Sequence, residues 1–174
     1  MKVRGLAIML CALFAATPAL AEKLTFDYRL YPPLKAALDS NRPEMVESDQ
    51  SNPHYLFNRI AVQGRSAADW SEAIEIVARS RARGMIVVND WVHELRQRVP
   101  ANCTSEFKTV AEDPTSITFE RHSTGCGTAI AESGIYRIVT GKTSLFLLGA
   151  LYKGQMSEDM RRQWLDLLAS AHLQ

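Results

Sequence analysis

Two polar residues in one short segment have the types and spacing that acid–base chemistry needs. Glu120 and His122 lie two positions apart in residues 117–122, a β-branched and aromatic run that predicts a strand. Side chains two apart on a strand point to the same face. A carboxylate beside an imidazole can raise the pKa of the imidazole and support proton transfer. An enzyme with its site at Glu120 and His122 is one hypothesis, but an ordinary polar strand face is the interpretation that the sequence favours.

Cysteines offer a second set of reactive groups. Cys103 and Cys126 could form a disulfide or bind a metal together with His122, or Cys126 could act as a nucleophile beside His122. A metal site would lack a Cys-x-x-Cys pair and a clear fourth ligand, and a nucleophile requires a free thiol. In an exported chain an even pair of cysteines usually forms a disulfide, which here would enclose about 22 residues. We therefore predict a Cys103–Cys126 disulfide, no metal site and no cofactor.

The first 21 residues have the three parts of a cleavable secretory signal. Lys2 and Arg4 are basic, residues 6–16 are apolar, and residues 19–21 read Ala-Leu-Ala, with small residues where a signal peptidase cleaves. The apolar run is shorter than the roughly 20 residues that a membrane span needs. The sequence thus predicts a signal peptide over residues 1–21 and one mature domain over residues 22–174. The mature protein would be periplasmic or secreted, without a stable membrane anchor.

Charge and motifs narrow the classes of partner and reaction. The chain has 20 basic and 19 acidic residues, and no block of five like charges. Nucleic acid requires a concentrated positive field, so it is not an expected partner. The sequence contains no Gly-x-Ser-x-Gly, no His-Glu-x-x-His and no glycine-rich phosphate loop. We expect the partner to be another envelope or secreted protein.

Hydrophobic periodicity predicts the elements that would position these residues. Apolar stripes at helical spacing predict a mid-chain helix over residues 88–99 and a C-terminal helix that begins after Ser157. A weaker helical pattern covers residues 34–38, and residues 49–53 have turn composition. Strands are predicted over residues 24–30, 55–62, 106–110, 117–122, 135–140 and 145–152, the last apolar on both faces and therefore central. This order predicts an α+β fold, an antiparallel sheet with the mid-chain helix and the C-terminal amphipathic helix packed on one face.

Residues 70–79 are ambiguous on local physics. Ser66 and Asp69 resemble a capping box, and Trp70, Ile74 and Val77 fit one face of a helix. Alternating apolar and polar residues fit a strand equally well. We expect the three tryptophans, Trp70, Trp91 and Trp164, to anchor the core rather than form a ligand cage.

The C-terminal two-thirds of the chain, residues 70–171, resembles small exported bacterial proteins of unassigned function and, more broadly, the Mog1/PsbP-like fold. The residues that carry the resemblance are Trp70, Cys103, Cys126, Glu132, Gly141, residues 145–152 and Trp164. The chain lacks the further cysteine that relatives often have after the position of Leu173, and the atypical segment 22–53 matches nothing. The resemblance implies a strand over residues 70–79, an envelope location and a binding or accessory role, and it implies no reaction.

We therefore expect a periplasmic, non-catalytic binding or accessory protein, in its narrower form an immunity or secretion-associated factor. An envelope enzyme with its site near Glu120 and His122 is the alternative. A structural envelope component that uses residues 22–53 as an extended arm is a third class.

Overall fold

A computed structural model describes residues 22–81, 88–127 and 131–174. The predicted signal peptide, residues 1–21, lies outside the described residues. The described chain has the predicted α+β class. Its strands are β1 (Leu24–Thr25), β2 (Val46–Asn52), β3 (Tyr55–Gly64), β4 (Trp70–Ser80), β5 (Thr104–Asp113), β6 (Ser116–Thr124), β7 (Ser133–Thr140), β8 (Ser144–Tyr152) and β9 (His172–Leu173). Its helices are α1 (Pro32–Asp39), α2 (Val88–Gln97) and α3 (Glu158–Ala169), with short 3-10 turns at Tyr28–Leu30 and Pro43–Met45.

Seven strands form one antiparallel sheet in the order β2-β3-β4-β8-β7-β6-β5. The central strand is β8, as its continuous apolar run predicts, because both of its faces are covered. Residues 70–79 are strand, part of β4 between β3 and β8. The helical alternative for that segment is therefore wrong.

Helices cover both faces of the sheet, so the expectation that they cover one face is wrong. Trp91 and Val92 of α2 pack on one face with Tyr136 and Leu147. On the other face, α1 and α3 form a second core, whose buried members include Tyr31, Leu34, Ile74, Leu148, Trp164, Leu167 and Leu168. The physical reason lies in β4 and β8, which present apolar side chains in both directions and need cover on each side.

The N-terminal segment departs from its predicted elements. Only Leu24–Thr25 is strand in the predicted strand 24–30, because the Asp27 carboxylate accepts a hydrogen bond from the backbone N–H of Arg29 at 3.1 Å and starts a 3-10 turn. Within the predicted turn 49–53, residues 49–52 are strand, since β2 pairs with β3, and the turn lies at Pro53 and His54. Segment 22–53 is folded onto the domain, with Tyr31 and Leu34 in the core, so the hypothesis of an extended arm is wrong.

Candidate functional site

Glu120 and His122 lie together in one cavity, on the face of the sheet that α3 covers. This Glu120 cavity has a volume of about 220 Å³ and includes Ser133 and Arg161. Arg161 Nε of α3 donates a hydrogen bond to Glu120 Oε1 at 2.5 Å. His122 is exposed and lies opposite Ser133 in the pairing of β6 with β7. The pair that the sequence singles out is therefore brought to one place.

Glu120 and Ser133 of the Glu120 cavity are engaged in structural contacts. The Glu120 side chain is 21% exposed and forms an ion pair with Arg161. Ser133 Oγ donates to the backbone oxygen of Gly154 at 2.7 Å and accepts from the N–H of Met156 at 3.4 Å. The hydroxyl of Ser133 and the carboxylate of Glu120 thus join the sheet to α3 and to the segment that precedes it. Chemistry that uses the Glu120 carboxylate or the Ser133 hydroxyl would first have to break one of these contacts.

Cys103 and Cys126 are joined at the open end of the β5–β6 hairpin. Their α-carbons are 4.6 Å apart, within the range that disulfides adopt. Both sulfur atoms are used in this bond, so neither is free to bind a metal with His122 or to act as a nucleophile. Within the described residues, no three His, Cys, Asp or Glu side chains are grouped as a metal site requires.

A second cavity, of about 260 Å³, lies on the opposite face of the sheet, beside α2. We call it the aromatic–arginine cleft. Its aromatic side chains are Tyr55, Phe57, Trp70, Trp91 and Tyr136. Its basic side chains are Arg59, Arg79, Arg98 and Arg121, and its one acidic side chain is Glu75. Strands β3, β4, β6 and β7 each contribute to the cleft from the same face of the sheet.

Arginines lie over aromatic rings throughout the cleft. The guanidinium of Arg59 is 5.1 Å from the Phe57 ring centre and 5.7 Å from that of Trp70. Arg79 is 5.2 Å from the ring centre of Trp91, and Arg121 is 5.4 Å from that of Tyr136. Such contacts stabilise the cations by roughly 0.5–2 kcal/mol each and fix the rings in place. The cleft therefore has preorganised walls.

Two glycines make room for the Tyr136 ring. A Cβ atom at Gly134 would lie 2.6 Å from the ring, and one at Gly149, which pairs with Tyr136 across β7 and β8, would lie 3.1 Å from it. The ring also stacks on Phe119 with centres 5.2 Å apart. Burial raises the pKa of Tyr136 to about 12, so its hydroxyl stays protonated at neutral pH.

Arg121 differs from the other arginines of the cleft in its partners. Its Nη2 donates to the backbone oxygen of Ala131 at 3.4 Å, and its buried Nε has no hydrogen-bond partner. No carboxylate of the described residues forms an ion pair with it. The face of the Tyr136 ring is the other contact of its guanidinium group.

The sequence contains an alternating pattern that indicates part of this cleft, although the cleft was not among the features predicted from the sequence. Tyr55, Phe57 and Arg59 alternate along β3, and so do Glu75, Val77 and Arg79 along β4, which places each set on one face. Only the pairing order of the strands shows that the two sets face the same way. Of the three tryptophans predicted as core anchors, Trp91 and Trp164 are buried, whereas Trp70 is partly exposed in the cleft.

One buried carboxylate also escaped prediction. Glu72 on β4 is fully buried, and its Oε1 accepts hydrogen bonds from the Tyr31 hydroxyl and from Trp164 Nε1, the latter at 2.9 Å. Its Oε2 has no hydrogen-bond partner. Burial raises the pKa of Glu72 even though both hydrogen bonds favour the ionised form. Its position between three elements indicates a structural role.

These features define an α+β protein whose antiparallel sheet has helices on both faces and a preorganised cleft beside α2. No protein-family model matches the chain, and no curated protein matches it in sequence. Among solved structures, it is similar to the solution structure of cyanobacterial PsbP (CyanoP) from Synechocystis sp. PCC 6803. The TM-score is 0.41 and the sequence identity 14%, over 74% of this chain and 91% of that chain. In the part of the chain that the structure describes, no helix has both the length and the apolar character to cross a membrane.

Proposed function

We propose that the protein is an exported, non-catalytic binding or accessory protein that recognises another envelope or secreted protein. A narrower form of the proposal is an immunity or secretion-associated factor. The observation that carries the proposal is the aromatic–arginine cleft. Trp, Tyr and Arg are the residue types that dominate binding energy at protein interfaces, and they do so where they line pockets that a partner side chain fills.

The size of the cleft supports a protein partner. Pockets that enclose drug-sized ligands have volumes of about 300–1,000 Å³. At about 260 Å³, the aromatic–arginine cleft suits one large side chain of a partner, inserted as an anchor. The surrounding ion pairs of Arg59 and Arg79 would then form a polar rim.

A photocrosslinking experiment tests this proposal. A benzophenone amino acid replaces Tyr55 in the cleft or, as the matched control, Val110 on the edge strand β5, which is 39% exposed. In envelope extracts from the native host we expect a discrete crosslinked protein from position 55 only, and its loss when Trp70→Ala is added. Equal crosslinking from both positions, or none from position 55, would rule out the cleft as the binding surface.

Export is tested separately. We expect cell fractionation to recover the protein outside the cytoplasm, with Glu22 as its first residue and no free thiol under denaturing conditions. Recovery from the cytoplasm with Met1 retained would contradict this part of the proposal.

An enzyme with its site in the Glu120 cavity is the second candidate, because Glu120 and His122 line the same cavity. If it is correct, Glu120→Ala and His122→Ala should each abolish an activity found on hydrolase substrate panels. His122→Ala is the cleaner of the two because Glu120 also binds Arg161. An activity that survives His122→Ala would remove this candidate.

A further inference from the structure

The aromatic–arginine cleft has an unequal distribution of charge. Arg59 Nη2 lies 2.6 Å from Glu75 Oε1, and Arg59 Nη1 lies 3.0 Å from Glu47 Oε2. Arg79 Nη1 lies 2.6 Å from Glu94 Oε2, and Arg98 binds the same carboxylate. Each of these three arginines therefore has an acidic side chain of the protein itself as an ion-pair partner.

Arg121 is the exception, and its geometry suits a carboxylate from outside. Among the described residues its Nη1 has no hydrogen-bond partner, and its Nη2 has only the long contact with Ala131. A guanidinium is a planar fork that carboxylates bind through paired hydrogen bonds. The ring of Tyr136 below and the apolar walls beside it lower the local dielectric, which strengthens such a pair.

The cleft beside Arg121 has room for an apolar group and aromatic walls to contact it. Trp70, Trp91 and Tyr55 line the same cleft, and about 260 Å³ is available. An internal Asp or Glu of a partner would supply a carboxylate but no ring, and an internal Phe would supply a ring but no carboxylate. The last residue of a protein chain supplies both on one residue when its side chain is large and apolar. Capture of a terminal carboxylate is a known mode of peptide recognition.

We infer that the aromatic–arginine cleft binds the C-terminus of its partner protein, with the terminal carboxylate on Arg121 and a large apolar or aromatic last side chain between Trp70, Trp91 and Tyr55. The inference rests on the proposed function, and it adds the chemical identity of the bound segment.

Binding of short peptides to the purified mature protein tests the inference. The probes are Gly-Gly-Ser-Gly-Phe with a free C-terminus, the same peptide with a C-terminal amide, Gly-Gly-Ser-Gly-Gly with a free C-terminus, and N-acetylphenylalanine. Calorimetry gives the affinities, and amide chemical shifts locate the binding site. A hydrogen-bonded charge is worth about 1.5–3 kcal/mol, so the free acid should bind at least roughly tenfold more tightly than the amide. The peptide that ends in Gly should bind more weakly than either.

Variants assign the preference to Arg121. Arg121→Gln should reduce the affinity for the free acid to that for the amide, without changing the affinity for the amide. Arg162→Gln is the matched control, because it removes the same charge from an exposed position on α3 and should preserve the preference. If Arg121→Gln does not fold, Arg121→Lys is the alternative variant. It keeps the positive charge but removes the planar guanidinium group, so it should lose part of the preference for the free acid over the amide.

The outcomes separate this inference from the proposed function. Equal affinity for acid and amide would overturn the role of the carboxylate and leave the cleft as a binding surface. N-acetylphenylalanine carries the terminal carboxylate and the last side chain, so it should bind and compete with the peptide. A peptide that binds tightly while N-acetylphenylalanine does not bind would overturn the last residue as the group that the cleft recognises. If no peptide binds while Tyr55 still crosslinks a partner, the inference fails and the proposed function stands. If both experiments are negative, both fail.

Discussion

Glu22, the first residue that the structure describes, ties the start of the folded chain to the turn between β7 and β8. Its carboxylate accepts hydrogen bonds from the backbone N–H groups of Lys142, Thr143 and Ser144 and from the Thr143 hydroxyl, at 2.8 Å for the N–H of Thr143. The contact depends on Gly141, where a Cβ atom would lie 2.5 Å from Glu22 Oε2. The residue predicted to become the N-terminus on cleavage is thus the one that anchors its end of the domain.

We expect Glu22→Ala to lower the free energy of unfolding by about 1 kcal/mol, a modest value because the site is open to solvent. Slight burial raises the pKa of this carboxyl group, but the four hydrogen bonds together lower it by more than burial raises it. The net pKa therefore lies below 4.5. A carboxyl group with a lowered pKa stabilises the fold above its unfolded pKa and loses that effect as pH falls. The difference between wild type and variant should therefore be constant above about pH 5 and shrink below pH 4.5.

Urea denaturation of wild type and variant over pH 3–7 measures this difference, with Lys23→Ala as the neighbouring control. A difference that does not change with pH would mean that the ionised carboxylate is not what the turn binds.

Gly134 is a second single residue on which the site depends. Gly134→Ala would place a methyl group 2.6 Å from the Tyr136 ring, which must move. Overpacking of this kind costs about 1–3 kcal/mol, and the displaced ring would deform the cleft. We expect a lower free energy of unfolding and weaker peptide binding. In a Tyr136→Leu background the same substitution should cost less, and equal costs in the two backgrounds would show that the ring is not the obstacle.

At the scale of elements, Glu72 connects β4 to two helices on the same face. Tyr31 immediately precedes α1 and Trp164 lies within α3, and both donate to one carboxylate oxygen. Their rings are in contact, with centres 4.2 Å apart. Removal of one partner from a buried polar cluster leaves the others unsatisfied, so the three side chains hold the helices in register with the sheet.

Glu72→Gln should alter how stability depends on pH. Burial raises the folded pKa of Glu72 above its usual value of 4.5. A raised pKa means that the folded state binds the proton more tightly than the unfolded state does. The contribution of Glu72 to the free energy of unfolding is therefore greatest below about pH 4.5 and is lost as pH rises through the folded pKa. Glutamine does not ionise, so the decline of stability with rising pH should be smaller in the variant.

Thermal unfolding at pH 4, 5, 6 and 7 checks this prediction. Glu75→Gln, on the same strand but partly exposed, is the control and should preserve the decline. Parallel pH profiles for wild type and Glu72→Gln would contradict the assignment of the titration to Glu72.

Helices and strands with a clear hydrophobic period or capping signal could be predicted from the sequence. Segments whose structure depends on pairing with a neighbouring strand could not. The C-terminal helix begins after Ser157, as predicted, because the Ser157 hydroxyl accepts from the N–H of Met160 at 3.2 Å. Residues 49–52 have turn composition yet form strand, because their partner β3 lies next to them. Residues 70–79 fit the hydrophobic period of a helix and that of a strand equally well. Their pairing with β3 and β8 makes them a strand.

At the scale of the whole molecule, the class of the fold followed from the sequence and the location of the cleft did not. A central β8 and two sheet-packing helices could be predicted from apolar runs and stripes. The cleft is assembled from two strand sets that lie far apart in the chain, β3 with β4 and β6 with β7 and β8, and local patterns do not give their order. Glu120 and His122 could be predicted to lie together because both are on one strand, where side chains two positions apart point to the same face.

The disulfide acts on the whole molecule from the edge of the sheet. Among the described strands, β5 pairs with β6 alone. The bond between Cys103 and Cys126 joins the open end of their hairpin, next to the paired residues Thr104 and Thr124. It limits the freedom of the unfolded chain and resists fraying of the edge strand. The loop of about 22 residues predicts a stabilisation of about 3 kcal/mol.

We expect the double substitution Cys103→Ser and Cys126→Ser to lower the melting temperature by about 6–12 °C, from roughly 2–4 °C per kcal/mol for a domain of this size. Hydrogen exchange distinguishes the effect on the unfolded chain from the effect on the edge strand. If the disulfide prevents fraying of the edge, its loss should accelerate exchange in β5 more than in the central β8. Reduction of the wild type should reproduce both changes, which excludes an effect of the serine side chains. If the reduced protein keeps its melting temperature and its β5 protection, the pairing with β6 and the packing of Phe107 on Phe119 hold the edge strand without the disulfide, and the disulfide has no structural role.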